Sequence, residues 1–216
     1  MPFSDILLPV FVTLFVVIDP IGLTPIFVSL TAGVDSATRR KIAFQACVIA
    51  AVILVLFALA GKHLLDLMGI TLPAFRIVGG IMLFLIAVEM LFEKRTERRS
   101  KNVSESSDPA HIEPGAGDIA VFPLATPLIA GPGAAASIIL LMGQHQGDLA
   151  SQAVILAVML GVLGLTYILF RLSGPFEHFV GDSGIKVVTR IFGVILGALA
   201  VQFVLSGLQA AGFAPG

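Results

Sequence analysis

Two carboxylates and two pairs of prolines are the residues in this sequence that could do chemistry. Asp19 is followed by Pro20, Gly22, Thr24 and Pro25, within an apolar run over 6–31. Thr126 is followed by Pro127, Gly131, Pro132 and Gly133, within another over 119–142. Proline removes a backbone donor and clashes with the preceding turn, so two prolines five residues apart predict a helix opened for about one turn. In hydrocarbon, opened peptide groups need partners in protein or in a water-filled cavity. The N-terminus of a half-helix offers N–H donors and a positive dipole end to a carboxylate, and free carbonyls at a half-helix C-terminus suit an ammonium group or a cation. A zwitterion needs both. Asp19 costs roughly 2.5–3.5 kcal/mol near the middle of a membrane span. Functionally it can carry a coupling proton, bind a cation or hold a substrate ammonium; structurally it can cap the helix that follows. Glu89, close to the end of a third apolar run, is a second coupling-ion candidate, with snorkelling toward Lys94 and Arg95 as the alternative. Thr126, at the position matching Asp19, is uncharged, so the paired segments are asymmetric.

Other chemistries find no support. His63, His111, His145 and His178 have no ligand spacing to one another, so no metal site is expected. Cys47 is the only cysteine, which leaves no disulfide and no thiolate cluster. There is no Ser-His-Asp order, phosphate loop or nucleotide motif, so neither an enzyme, a cofactor nor an ATP-driven pump is expected. No basic, aromatic-interleaved patch points to nucleic acid.

The elements that must position these residues are membrane helices. The chain has 216 residues, 57% of them hydrophobic and 12% charged, roughly half the charge of a soluble domain. Six runs are long enough to cross about 30 Å of hydrocarbon: 6–31, 42–60, 72–92, 119–142, 153–170 and 187–208. The first run lacks a positive start and a cleavage site, so it is read as a span and not as a signal peptide. The segment 63–70 is expected as a short amphipathic stretch at the surface. The residues 93–118 are rich in charge, Ser, Pro and Gly and read as a loop between a first unit, 1–92, and a second, 119–216. With the N-terminus outside, all of the 13 basic residues except Lys62 and Arg76 fall on inward-facing loops or span ends, so both termini are expected outside. Gly79, Gly80, Gly161, Gly164, Gly193 and Gly197 are expected as helix-packing positions.

The two units resemble each other. Asp19-Pro20 with Pro25 matches Thr126-Pro127 with Pro132; Arg76-Ile77-Val78-Gly79 matches Arg190-Ile191-Phe192-Gly193; Ala87-Val88-Glu89 matches Ala200-Val201-Gln202. Three spans per unit is an odd number, so the second unit enters from the opposite side. The expected fold is an all-α membrane protein of six transmembrane helices in a 3+3 inverted repeat, with the first and fourth helices broken near the midplane, a plan used by secondary transporters.

The stretches Phe15-Val-Val-Ile-Asp19-Pro20-Ile21-Gly22 with Thr24-Pro25-Ile26-Phe27, and Phe122-Pro123-Leu124-Ala125-Thr126-Pro127-Leu128-Ile129-Ala130-Gly131-Pro132-Gly133-Ala134, resemble the two motifs of the MarC family, also called UPF0056 or NAAT. Phe75-Arg76-Ile77-Val78-Gly79-Gly80 and Ala200-Val201-Gln202-Phe203 also fit. The resemblance covers nearly the whole chain except the charged loop. It implies a multi-pass protein of a bacterial or archaeal plasma membrane, the inner membrane in a Gram-negative cell. Some members are assigned to transport of small neutral amino acids such as glycine and alanine. The sequence departs at Leu23, where the family often has Asn. The function expected is therefore a carrier of a small neutral amino acid, coupled to H⁺ or Na⁺, in a lipid bilayer and with a homo-oligomer open. An exporter of amino acids or other small metabolites and a membrane scaffold or regulatory subunit are the rivals.

Overall fold

Lipid cannot hydrogen-bond to peptide groups, so each long apolar run satisfies its backbone internally as helix. The computed structural model describes residues 3–92 and 116–213, with side chains over 6–92, 117–173 and 183–213. The expected charged loop lies almost entirely outside the described residues. The helices are α1 (Phe3–Ile18), α2 (Pro20–Leu30), α3 (Ser36–Leu67), α4 (Leu72–Leu91), α5 (Ala116–Ile119), α6 (Pro132–Gln144), α7 (Leu149–Arg171) and α8 (Ser173–Ala210). An irregular segment, Ala120–Ile129, joins α5 to α6. Among the described residues no strand occurs. Five helices are long and apolar enough to cross a membrane, and the pair Gly117–Ile129 and Pro132–Gln144, bent by 58°, makes a sixth span when taken as one.

Helix starts follow from side chains that accept the first free N–H groups. Asp35 accepts from Ala37 and Thr38, Thr71 from Ala74, and Asp148 from Ala150 and Ser151. Hydrogen bonds from Thr38 hold the Asp35 carboxyl below its ordinary range, and those from Ser151 do the same for Asp148. α3 runs on through the stretch expected as a separate surface segment. Nothing between 61 and 67 breaks a helix; Lys62 and Asp66 pair one turn apart, and the stop comes at Gly69, with φ of 70°.

The two broken spans form the inside of the bundle. Every residue of α6 from Gly133 to Gly143 is buried, and so are Leu14, Val16, Val17, Ile18 and most of α2. A helix apolar on all sides is a core helix. α3 and α4 pack on α6, α7 packs on α1 and α3, and α8 runs along α4. The outward faces carry Val48, Val52, Leu56, Phe84, Leu85 and Val194, all exposed and apolar, as a lipid contact requires.

The α4–α8 contact is antiparallel and depends on glycine. A methyl group at Gly80 would lie 2.8 Å from the Ala200 carbonyl oxygen, one at Gly193 3.1 Å from the Ala87 carbonyl oxygen, and one at Gly207 2.7 Å from Ile77 Cγ1. Gly79 packs on Leu140 of α6 in the same way. Gly161 and Gly164, by contrast, face open space and are not packing positions within the chain.

Candidate functional site

The first break is a single residue. Asp19 separates α1 from α2 in the left-handed conformation, φ 58° and ψ 61°, which aspartate tolerates better than most side chains. The ladder resumes at once on both sides: Asp19 N–H donates to the Phe15 carbonyl at 2.9 Å, and Leu23 N–H donates to the Asp19 carbonyl at 3.0 Å. The expected opening of a whole turn does not occur here. Pro20 takes the first position of α2, where its missing donor would have been idle. Pro25 sits inside α2, and the neighbouring Thr24 hydroxyl donates to the Pro20 carbonyl at 2.9 Å.

Asp19 is 1% exposed and its Oδ1 accepts from Gly22 N–H at 3.1 Å, which caps α2. Gly22 is required by that cap. A methyl group there would stand 2.3 Å from Asp19 Oδ2, so only glycine lets the carboxylate fold over the helix start. Thr24 and Leu23 are buried beside it.

The second break is longer, for a reason visible in the chain. A residue before proline is driven from helical to extended backbone. Phe122 (φ −135°, ψ 128°) precedes Pro123, Thr126 (φ −128°, ψ 122°) precedes Pro127, and Gly131 (φ −76°, ψ 173°) precedes Pro132. Three such interruptions prevent a regular ladder from forming before α6. Pro132 opens α6 at its first position, and no side chain caps that N-terminus. Gly131 allows close approach, because a methyl there would be 2.5 Å from the Pro127 carbonyl oxygen. The two Pro-x4-Pro pairs therefore differ in three dimensions: Pro25 lies within a helix, whereas Pro132 starts one.

The second break borders a cavity of about 490 Å³. Pro127, Gly131, Pro132 and Gly133 line one side, Glu89 and Ile86 of α4 another, and Val17 of α1 also reaches it. Gly133 is where three helices converge; a methyl there would meet Ile86 Cδ1 at 2.6 Å and Val17 Cγ1 at 3.3 Å. Glu89, half-buried, thus faces the opened backbone at the start of α6. Asp19, Pro20, Gly22, Thr24, Pro25 and Thr126 do not line this cavity; Thr126 is exposed, and the others belong to the α1–α2 junction. Sequence reading missed one residue that lines this cavity, Val17, and one buried hydroxyl outside its lining, Ser137. Val17 is one apolar residue among many. Ser137, four residues beyond Gly133, is fully buried with no hydrogen-bond partner for its hydroxyl, and a lone hydroxyl in an otherwise apolar helix was its only signal. Among the described residues no three His, Cys, Asp or Glu side chains gather as metal ligands.

Comparison with known proteins agrees with the motifs. The model of the MarC family integral membrane protein matches residues 4–211. A UPF0056 membrane protein of Methanocaldococcus jannaschii is 35% identical over 202 residues, covering 93% of this chain and 95% of that one. The UPF0056 membrane protein YvbG of Bacillus subtilis is 34% identical, covering 93% and 92%. The UPF0056 membrane protein YhcE of Escherichia coli is 35% identical, covering 95% and 92%. No solved structure matches.

Proposed function

The chain belongs to the MarC family of integral membrane proteins, and we propose that it is a secondary transporter of a small neutral amino acid, glycine or alanine in size, coupled to H⁺ or Na⁺. The observation that carries this reading is the cavity in which the uncapped N-terminus of α6 faces Glu89. The N–H groups at the start of α6 carry a positive dipole end suited to a substrate carboxylate. Glu89 supplies the opposite charge for an ammonium group or for the coupling ion. One zwitterion can therefore span the cavity, held at its two unlike ends. The volume lies within the roughly 300–1,000 Å³ common for ligand pockets, and the lining is otherwise apolar, which favours a small, uncharged side chain.

Asp19 has a different part in this reading. Its carboxylate holds the α1–α2 junction, and Val17, two residues earlier, extends that junction to the cavity. A buried acid at a helix break is also a candidate carrier of the coupling proton. The antiparallel α4–α8 contact supports the inverted 3+3 plan. Under the sequence match, Ala87 corresponds to Ala200 and Gly193 to Gly79, so the Gly80–Ala200 and Ala87–Gly193 approaches exchange with each other to within one residue. Alternating access would then be a rocking of the repeats about the two breaks.

Thermal unfolding of the purified protein against a panel of amino acids tests the site. Glycine and alanine are expected to raise the melting temperature of the wild type, bulkier side chains to do so less, and Glu89→Gln to lose the response. No stabilisation by any amino acid would favour a membrane scaffold or regulatory subunit instead. Vesicles loaded with substrate inside or outside separate uptake from export.

A further inference from the structure

A second built site lies elsewhere in the bundle and shares no lining residue with the cavity at Glu89. Arg39 and Arg40, in the first two turns of α3, and Arg171, in the last turn of α7, surround a cavity of about 270 Å³ together with the hydroxyl residues Ser36 and Ser173. Phe170 lines it and belongs to a buried aromatic stack. Phe27 and Phe170 lie face to face, with ring centroids 4.4 Å apart, and the Arg39 guanidinium sits 5.4 Å above the Phe27 ring. This holds Arg39 in place but leaves it unsatisfied: its Nε and Nη2 are covered and have no acceptor. Among the described residues no carboxylate pairs with Arg39, Arg40 or Arg171, and the nearest acid along α3, Asp35, is committed to capping that helix. Among the described residues three positive charges thus converge on one cavity without a counter-ion, an arrangement that an anion relieves.

We propose that Arg39, Arg40 and Arg171, with Ser36 and Ser173, form a binding site for a phosphate group. Guanidinium donors match phosphate oxygens in pairs, and the two hydroxyls add further donors. Arg40 also lines an adjoining open groove of about 300 Å³ with Lys41, Phe44 and Tyr167. Phe44 is 58% exposed and meets Tyr167 edge-on at 6.0 Å, so this groove is aromatic and lies at the surface of the bundle. A phosphate flanked by such a groove is the chemistry of a phospholipid headgroup with its chains in the bilayer, and a soluble phosphate would use the same donors.

The test uses the full chain in detergent. Native mass spectra are recorded with phosphatidylglycerol or phosphatidylcholine, and thermal unfolding with sodium phosphate or sodium chloride at equal ionic strength. The expected result is phosphatidylglycerol adducts exceeding phosphatidylcholine adducts by about tenfold, because both carry the phosphate but the choline ammonium is repelled by the three guanidinium groups that surround it. The double variant Arg40→Gln with Arg171→Gln, whose side chains are both exposed, is expected to remove that preference. A rise in melting temperature with phosphate over chloride, also lost in the double variant, would assign the same site to a soluble phosphate. Equal adducts with both lipids together with equal melting in both salts would overturn the site, whether or not the variant folds. So would a folded double variant that responds as the wild type does.

Discussion

Asp19 combines a cap and a charge, and substitution can separate them. Asparagine keeps an oxygen able to accept from Gly22 N–H, so Asp19→Asn retains the cap and loses the ionisable group. Alanine loses both. Asp19→Ala is expected to destabilise the protein by about 1 kcal/mol, the usual worth of an N-cap, while Asp19→Asn unfolds within a few tenths of the wild type. Thermal unfolding in detergent reads the difference, and equal melting of Asp19→Ala and wild type would mean that the cap contributes nothing. If Asp19 also carries the coupling proton, Asp19→Asn sharply lowers coupled uptake while its stability holds. The cap was legible in the sequence, because a carboxylate just before proline in an apolar run is placed to cap the next helix; its cost in such a run is what made it a coupling candidate as well. Glu89 was legible as a coupling-ion candidate or a snorkelling charge, but not as part of a cavity with α6. That it faces the α6 N-terminus depends on contact between segments some forty residues apart, and no local pattern encodes that.

At the scale of elements, the number and order of the helices follow from apolar run length, and the sequence located both breaks. It overstated their likeness. Matching proline spacing hid the difference between Pro25, tolerated inside α2, and Pro132, placed at the first turn of α6; that difference arises from the extra Pro123 and from the extended residues before each proline. The glycines divide in the same way. Sequence treats Gly80 and Gly161 alike, but a methyl at Gly80 meets the Ala200 carbonyl at 2.8 Å, whereas Gly161 meets nothing within 4 Å. Gly80→Ala is expected to push α4 from α8 and cost on the order of 1–3 kcal/mol, as overpacking does, while Gly161→Ala is neutral or slightly stabilising through helix propensity. Melting temperatures of the two variants check this, and an unperturbed Gly80→Ala would show that the α4–α8 contact is loose.

Among the described residues the two broken helix pairs are the buried ones and the outer helices carry the exposed apolar faces, which is the arrangement the proposed carrier requires. The bend of 58° between Gly117–Ile129 and Pro132–Gln144 changes direction without reversing it, which fits one broken span better than a re-entrant hairpin. We propose that the bent pair is one span, giving six; both termini would then lie on one side, and the loop charge predicts the outer side. Reporter fusions at the two ends are expected to agree, both outside; reporters on opposite sides would make the α5–α6 region re-entrant and remove the inverted repeat. Composition made the membrane class plain from the start, and the family followed from motifs spread over the chain. In the proposed reading, substrate and coupling depend on a few groups around one cavity, and transport itself tests them. The direct measurement is uptake of labelled glycine and alanine into liposomes containing the purified protein, under an imposed proton or sodium gradient. The account predicts uptake above protein-free liposomes, driven faster by one of the two gradients and lost in Glu89→Gln. Uptake by the wild type no faster than in protein-free liposomes under either gradient would contradict it.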